Sequence, residues 1–502
     1  MHNNPTQKWR QQFFSALKGA GAATVIAHDK SPIGYDLLWR NANAYAQHLR
    51  SAGFVKGDRI AVALHSEPPL ITVLLGHYLA GVIHVPINTR YGRSEIGHVI
   101  KDCEPKAIWL DSDLSCADSI RAIAQRAAID VWTDSQVLNC EKKWVDEAVD
   151  QVVDEDVALL IYTSGTTGKS KGCALSYRAV LSNIWHLSSA WQFSKQDRLV
   201  VALPLFHVHG LCLALHSILW HGGTMILERQ FTPEAIVGHF SNKAATAFMG
   251  VPTMYHRLLE YLVKKPDDAS VLAQGRLFTS GSAALSAQHF EAFYKATGHR
   301  ILERYGMSET LLTLSNPYGE ERRAGTVGFP VEGVIAEIRD EKGQPVALGE
   351  SGTLWVKGDS LMSGYWKQPE LTAKEIQDGF FKTGDCVSRD DKGYFRIVGR
   401  ESSDILKVGG FKIGAREIEE ALQSYAHISE AAVIGVADEE WGQRIEAFVV
   451  LKDDSTLDKD RLKAFLKEQI AGYKIPSAIT VISELPRNAL GKLQKHKLGM
   501  NE

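Results

Sequence analysis

An apolar, strand-like run at residues 156–162 (DVALLIY) passes without a break into YTSGTTGKSKG at 162–172, a loop of glycine, hydroxyl and lysine residues. Gly165, Gly168 and Gly172 let the backbone turn its N–H groups inward. Ser164, Thr166 and Thr167 add hydroxyl donors, and Lys169 and Lys171 add positive charge. A loop of that kind can hold phosphate oxygens. Its spacing is not the Gly-x-x-x-x-Gly-Lys-Ser/Thr of P-loop NTPases, so their fold is not implied. By composition alone the stretch reads equally well as a flexible connector.

Around this loop, strand-like and helical segments alternate through most of the first 300 residues, with a strand expected at 59–64 and a helix at 69–80. That alternation predicts layered α/β architecture. From about residue 352 the texture shifts to short strands and turns. After residue 400 it becomes a smaller α+β unit, with a helix at 416–422 and strands at 431–436 and 447–451. The chain has 502 residues, too many for one ordinary core, and 45% of them are hydrophobic, enough to fill two. The expectation is a large N-terminal domain, 1–400, and a small mobile C-terminal domain, 401–502.

A net charge of −3 gives no global field favouring nucleic acid or an anionic membrane, and no apolar run is long enough to span a bilayer. Six cysteines lie scattered, without zinc or disulfide spacing, and read as reduced cytosolic thiols. The first 28 residues lack acids and carry Lys8, Arg10 and Lys18, the charge pattern of a transit peptide. Trp9, Phe13, Phe14 and Leu17, however, have the spacing of a docking helix, and a cytoplasmic location is the expectation.

The full string at 162–172 resembles the phosphate-loop signature of the adenylate-forming superfamily, which includes acyl-CoA synthetases, with Ser170 where proline is usual. Further segments extend the resemblance along the chain in the expected order: SGSAAL at 280–285, ERYGMSET at 303–310, FFKTGD at 380–385, IVGR at 397–400, KVGGFKI at 407–413 and PRNALGK at 486–492. The resemblance implies an adenylate-forming fold and an AMP-forming acid–CoA ligase using ATP, coenzyme A and Mg²⁺. It implies that ATP contacts Thr163, Ser164, Gly165, Thr166, Thr167, Gly168, Lys169 and Lys171 in the loop. Beyond the loop it implies contacts from Ser282, Glu303, Arg304, Tyr305, Gly306, Ser308, Asp385 and Arg400, with Tyr305 on adenine and Asp385 on the ribose.

On the same ground Ser308 and Glu309 would face the metal, and Lys492, Glu309 and His207 would be catalytic, with Lys492 stabilising charge as the acid attacks the α-phosphate. Ser402, Gly409 and Gly410 would serve the coenzyme A channel and the hinge, with Ser402 replacing the usual Asp or Lys. Read singly, Glu309 is a solvated or capping carboxylate and Lys492 a surface lysine; the constellation is what changes those readings.

Within the superfamily, LPLFHVHGL, FMGVPTMYHRLLE, FTSGSAAL and GRESSDILKVGGFKIGAREIE are most similar to malonyl-CoA synthetases. His207, Ser280, Gly281 and Met307 would then line the acyl pocket, and Arg257 would hold the second carboxylate of malonate or methylmalonate. Otherwise Arg257 pairs with Glu260 on its helix or with solvent, and His207 is a core histidine. The rival expectations are a ligase for a monocarboxylic fatty or aryl acid and an adenylation domain that loads a carrier protein. The partners expected are small molecules, and a homodimer is left open.

Overall fold

The computed structural model describes residues 9–27, 32–133, 152–163, 170–400, 404–408, 411–438, 441–452, 456–488, 491 and 493–499. The strand expected at 59–64 forms as Arg59–Ala63, and the helix expected at 69–80 forms as Pro68–Ala80 with proline in its first turn and Gly81 in the left-handed conformation closing it. Almost every side chain of that helix is buried, Thr72 and His77 included, as its mostly apolar sequence requires. It belongs to a hydrophobic cluster that also contains residues of both large sheets, including Val62, Leu159, Leu199 and Leu277. The helix Trp9–Gly19 docks on this cluster through Trp9, Phe13 and Leu17.

In the first sheet, of seven strands among the described residues, Arg59–Ala63, Ile83–Pro86, Ala107–Leu110 and Val157–Thr163 run parallel. Lys171–Ser176 then returns antiparallel to Val157–Thr163, pairing Thr163 with Lys171. The phosphate-type loop, 164–169, lies outside the described residues, but its two flanks are thereby fixed at one end of a hairpin. In the second sheet, of nine strands, Arg198–Val201, Thr224–Leu227, Ala247–Gly250, Leu277–Ser280 and Leu302–Met307 are parallel. The pairing of Ser280 with Glu303 sets the carboxyl end of Leu277–Ser280, the edge where ligands bind in open α/β sheets, beside the start of Leu302–Met307. Helices pack between the two large sheets and on the outer face of each, a layered α/β architecture in agreement with the sequence pattern.

A third, antiparallel sheet contains Phe380–Arg389 and Phe395–Arg400. Beyond it, the helix Ala415–Gln423 and the strands Ile428–Asp438 and Gly442–Leu451 enclose separate apolar clusters built only from residues 406–498. Among the described residues no helix is long and apolar enough to cross a membrane.

Candidate active site

The end of the strand Leu302–Met307 supplies the densest group of site residues. Side chains alternate along a strand, so Glu303 and Arg304 face opposite ways. Glu303 is buried, accepts a 3.0 Å hydrogen bond from the Leu285 N–H through Oε1, and leaves Oε2 without a partner. Burial lifts its carboxyl to about 7. Arg304 is 5% exposed, and its Nε and Nη2 have no hydrogen-bond partner. Burial lowers its pKa to about 9. The guanidinium lies flat beneath Gly281, where a Cβ would stand 2.4 Å from both Cζ and Nε. Glycine is therefore required at 281 for Arg304 to occupy this place.

Next to Gly281, Ser282 adopts a left-handed φ of 68°, a strained conformation for a residue with a side chain. Its hydroxyl lies 3.1 Å from His209 Nδ1. His209 Nε2 and His207 Nε2 are buried without partners, and so is the Ser280 hydroxyl. Burial pushes His207 down to about 4 and His209 well below its ordinary value, with Arg304 adding repulsion at His209. Both imidazoles are therefore neutral at physiological pH. Ser280, Gly281, Ser282, His207, His209 and Arg304 thus surround a polar region in which a buried cation and several donors lack partners.

On the nucleotide side, Asp385 and Arg400 are paired across adjacent strands. Arg400 Nη1 donates to Asp385 Oδ1 at 3.0 Å, and the Tyr305 hydroxyl donates to Asp385 Oδ2 at 2.5 Å. The Tyr305 hydroxyl also lies 3.7 Å from the Met307 sulfur. These residues, distant in sequence, form one polar cluster; Gly306 lies on the strand between Tyr305 and Met307.

Glu309 is buried and accepts a 3.0 Å hydrogen bond from the Tyr365 hydroxyl. Burial raises its pKa above the ordinary carboxyl range. Tyr365 comes from an edge strand paired to Lys171–Ser176, which carries the Lys171 ammonium to 5.4 Å from the Tyr365 ring centre. The Ser308 carbonyl accepts from the Cys173 thiol. A buried carboxylate held by a backbone N–H and a neutral phenol fits a hard divalent cation, which takes oxygen ligands and would relieve the cost of burying that charge. Tyr365 was missed by sequence reasoning, because nothing in Gly364–Tyr365 announces its reach to Glu309.

The alternative pairing of Arg257 with Glu260 is corrected. Arg257 is on the helix Pro252–Lys264, but Glu260 pairs with His256, and the exposed Arg257 guanidinium lies over the Phe231 ring at 5.3 Å. Arg416 donates to Glu420 and to the carbonyls of Ile397 and Leu285. Ser164, Gly165, Thr166, Thr167, Gly168, Lys169, Ser402, Gly409, Gly410 and Lys492 lie outside the described residues. Gly491 is described, and a Cβ there would meet Thr253 Oγ1 at 2.9 Å, so the segment leading to Lys492 abuts the large domain.

Residues 13–366 match the AMP-binding enzyme family, and residues 417–492 match the AMP-binding enzyme C-terminal domain. The chain belongs to the AMP-binding enzyme family. It is 34% identical over 481 residues to a malonate–CoA ligase of Arabidopsis thaliana, covering 89% of this chain and 78% of that one. It is 32% identical to a feruloyl-CoA synthase of an Amycolatopsis species, covering 94% of both. Among solved structures, ATP-bound MatB from Rhodopseudomonas palustris superposes with a TM-score of 0.91 at 35% identity over 98% of both chains. A malonyl-CoA ligase in a ternary product complex with methylmalonyl-CoA and AMP, also 35% identical, gives 0.69 over 94% of this chain and all of that one. The chain therefore superposes more fully on the former than on the latter.

Proposed function

We propose that this protein is an AMP-forming malonate–CoA ligase, and that Arg304 holds the second carboxylate of the acid. The observation that carries the choice of acid is the buried Arg304 guanidinium, whose Nε and Nη2 lack partners among the expected acyl-pocket residues. A cation left unpaired in a protein interior is costly, and a bidentate carboxylate is the group that best relieves it. Arg257, exposed on Phe231, has no such vacancy to fill. The relatives named as malonate–CoA ligases and MatB support the same substrate class.

In the first half-reaction the reacting carboxylate oxygen attacks the α-phosphorus of ATP and pyrophosphate leaves. Lys492 would stabilise charge on the α-phosphate, and Asp385 would orient the ribose while Tyr305 flanks the base. Mg²⁺, held by Glu309 with the phosphates and the Ser308 hydroxyl, would offset charge on the leaving pyrophosphate. In the second half-reaction the coenzyme A sulfur attacks the acyl carbon and AMP leaves. Neutral His207 and His209 would border the acyl group without adding charge. Gly409, Gly410 and Ser402 remain proposed for the thiol channel and hinge.

The test is pyrophosphate release with ATP and Mg²⁺ across malonate, methylmalonate, acetate, octanoate, benzoate and ferulate, with and without coenzyme A. Preference for malonate or methylmalonate with coenzyme A-dependent turnover is expected. Preference for ferulate or another monocarboxylate would retain the ligase and discard Arg304 as a carboxylate clamp.

A further inference from the structure

The segment that carries Lys492 is closed into a loop by its own contacts. Arg487 and Leu493 pair as an antiparallel bridge, and the Gln494 N–H donates to the Pro486 carbonyl at 2.8 Å. Arg487 Nη1 donates to the Gly491 carbonyl at 2.8 Å, and the same guanidinium pairs with Glu430. These bonds join the described flanks of the segment, residues 486–487 on one side and 491, 493 and 494 on the other. They do not by themselves fix its direction relative to the hinge between the domains.

A second set of contacts does so. Lys495 Nζ lies 2.7 Å from Asp404 Oδ1 and 2.7 Å from Glu419 Oε1, and the lysine side chain is only 13% exposed. Glu419 is anchored in turn by the Val433 N–H at 2.8 Å. Asp404 reaches the other way: its Oδ2 accepts from the Arg400 N–H at 3.1 Å, and its own N–H donates to the Arg400 carbonyl at 2.8 Å. Arg400 is the last residue of its strand and pairs with Asp385. A continuous polar path therefore runs from the nucleotide side, Asp385 and Arg400, through Asp404 to Lys495, three residues beyond Lys492. Burying an ammonium between two carboxylates is an expensive way to pack a surface segment, since apolar side chains of similar volume serve stability as well or better. What the ionic arrangement provides is direction.

We propose that Lys495 is a positioning residue for adenylation: bridging Asp404 and Glu419, it ties the chain that follows Lys492 to the segment after Arg400, from which the adenylation step draws its geometry. This inference rests on the reading of Lys492 as the adenylation lysine. Gly491 against Thr253 marks the orientation that the tie maintains.

The experiment uses the full-length protein and compares wild type with Lys495→Met, Asp404→Asn and Lys492→Ala. Malonate-dependent ATP–pyrophosphate exchange reads adenylation, and thioester formation from supplied malonyl-adenylate and coenzyme A reads the second half-reaction. Misplacing a catalytic group by about 1 Å costs ~100-fold, so Lys495→Met should lose exchange kcat by ~100-fold while the KM for ATP and the thioester rate stay within about twofold. Asp404→Asn, which keeps the Glu419 contact and the shape of the side chain, should lose about tenfold in exchange and keep the thioester rate. Thermal unfolding checks that each variant is folded, and Asp404→Asn decides the matter if Lys495→Met does not fold. Equal loss in both half-reactions, or undiminished exchange in a folded variant, overturns the inference. If wild type exchanges with an acid other than malonate, the acid assignment fails and the same comparison is run with that acid. If Lys492→Ala exchanges normally, the premise fails and the inference with it.

Discussion

Replacing Arg304 by methionine sets stability against function at one buried side chain. Burial holds the guanidinium down from its ordinary 12.5 to about 9. At about 1.4 kcal/mol per tenfold change in proton affinity, carrying this charge into the ligand-free fold costs on the order of 4 to 5 kcal/mol. The sign follows from a base whose folded pKa is depressed: the cost is fully present at neutral pH and is released only as pH rises past about 9. Methionine fills a similar volume without the charge, although it does not reproduce the packing beneath Gly281. Arg304→Met should therefore stabilise the ligand-free protein by about 1 to 3 kcal/mol in denaturant unfolding at pH 7. Removing one partner of a buried charge pair costs about 2 to 5 kcal/mol, so kcat/KM for malonate should fall by roughly 30- to several-thousand-fold. Activity on acetate should not fall in step. The same titration with Arg257→Ala should leave kcat/KM for malonate within about threefold, as expected for a residue outside the acyl pocket. A less stable Arg304→Met protein with unchanged kcat/KM for malonate would refute the reasoning.

The pH dependence of stability should reveal the buried histidines: His84 is held at about 3, and His207 and His216 at about 4, by burial. Because these folded values lie below the unfolded 6.5, stability declines as pH falls from 6.5 toward 4, by about 3 kcal/mol for each such group at pH 4. A flat unfolding free energy from pH 7 to 5 would contradict this. At Glu309, whose carboxyl is raised by burial, protons and Mg²⁺ should compete. The acid limb of pyrophosphate release should then move to lower pH as Mg²⁺ is increased, and a limb indifferent to Mg²⁺ would count against Glu309 as a ligand. Asp385→Asn weakens an acceptor shared by Tyr305 and Arg400 and should raise the KM for ATP about tenfold with a smaller change in kcat. An unaltered KM would remove Asp385 from the nucleotide site.

Local pattern was sufficient for the layers and the reaction class. The apolar run before the phosphate-type loop, the largely apolar helix at 68–80 and the alternation of strands and helices each carry their periodicity and their breakers within a short window. Their type was therefore legible from short windows of sequence. The order of the motifs was equally legible, because a motif is contiguous by definition.

Tertiary structure decided which charges meet. The sequence reading placed the acid on Arg257 and assigned Arg304 to ATP, although both carry the same guanidinium. Only the register of Leu302–Met307 against Leu277–Ser280 puts Arg304 beneath Gly281, away from solvent and acids, while Arg257 remains outside on Phe231. Tyr365 with Glu309, and Lys495 with Asp404 and Glu419, are likewise pairs between distant segments. No periodicity reports them, since the strength of an ionic or polar contact depends on distance and burial, and both are set by how separate elements pack. The sequence by itself determined the kinds of elements and the chemistry they carry; the fold determined which of those groups lost water, and so which of them need a ligand.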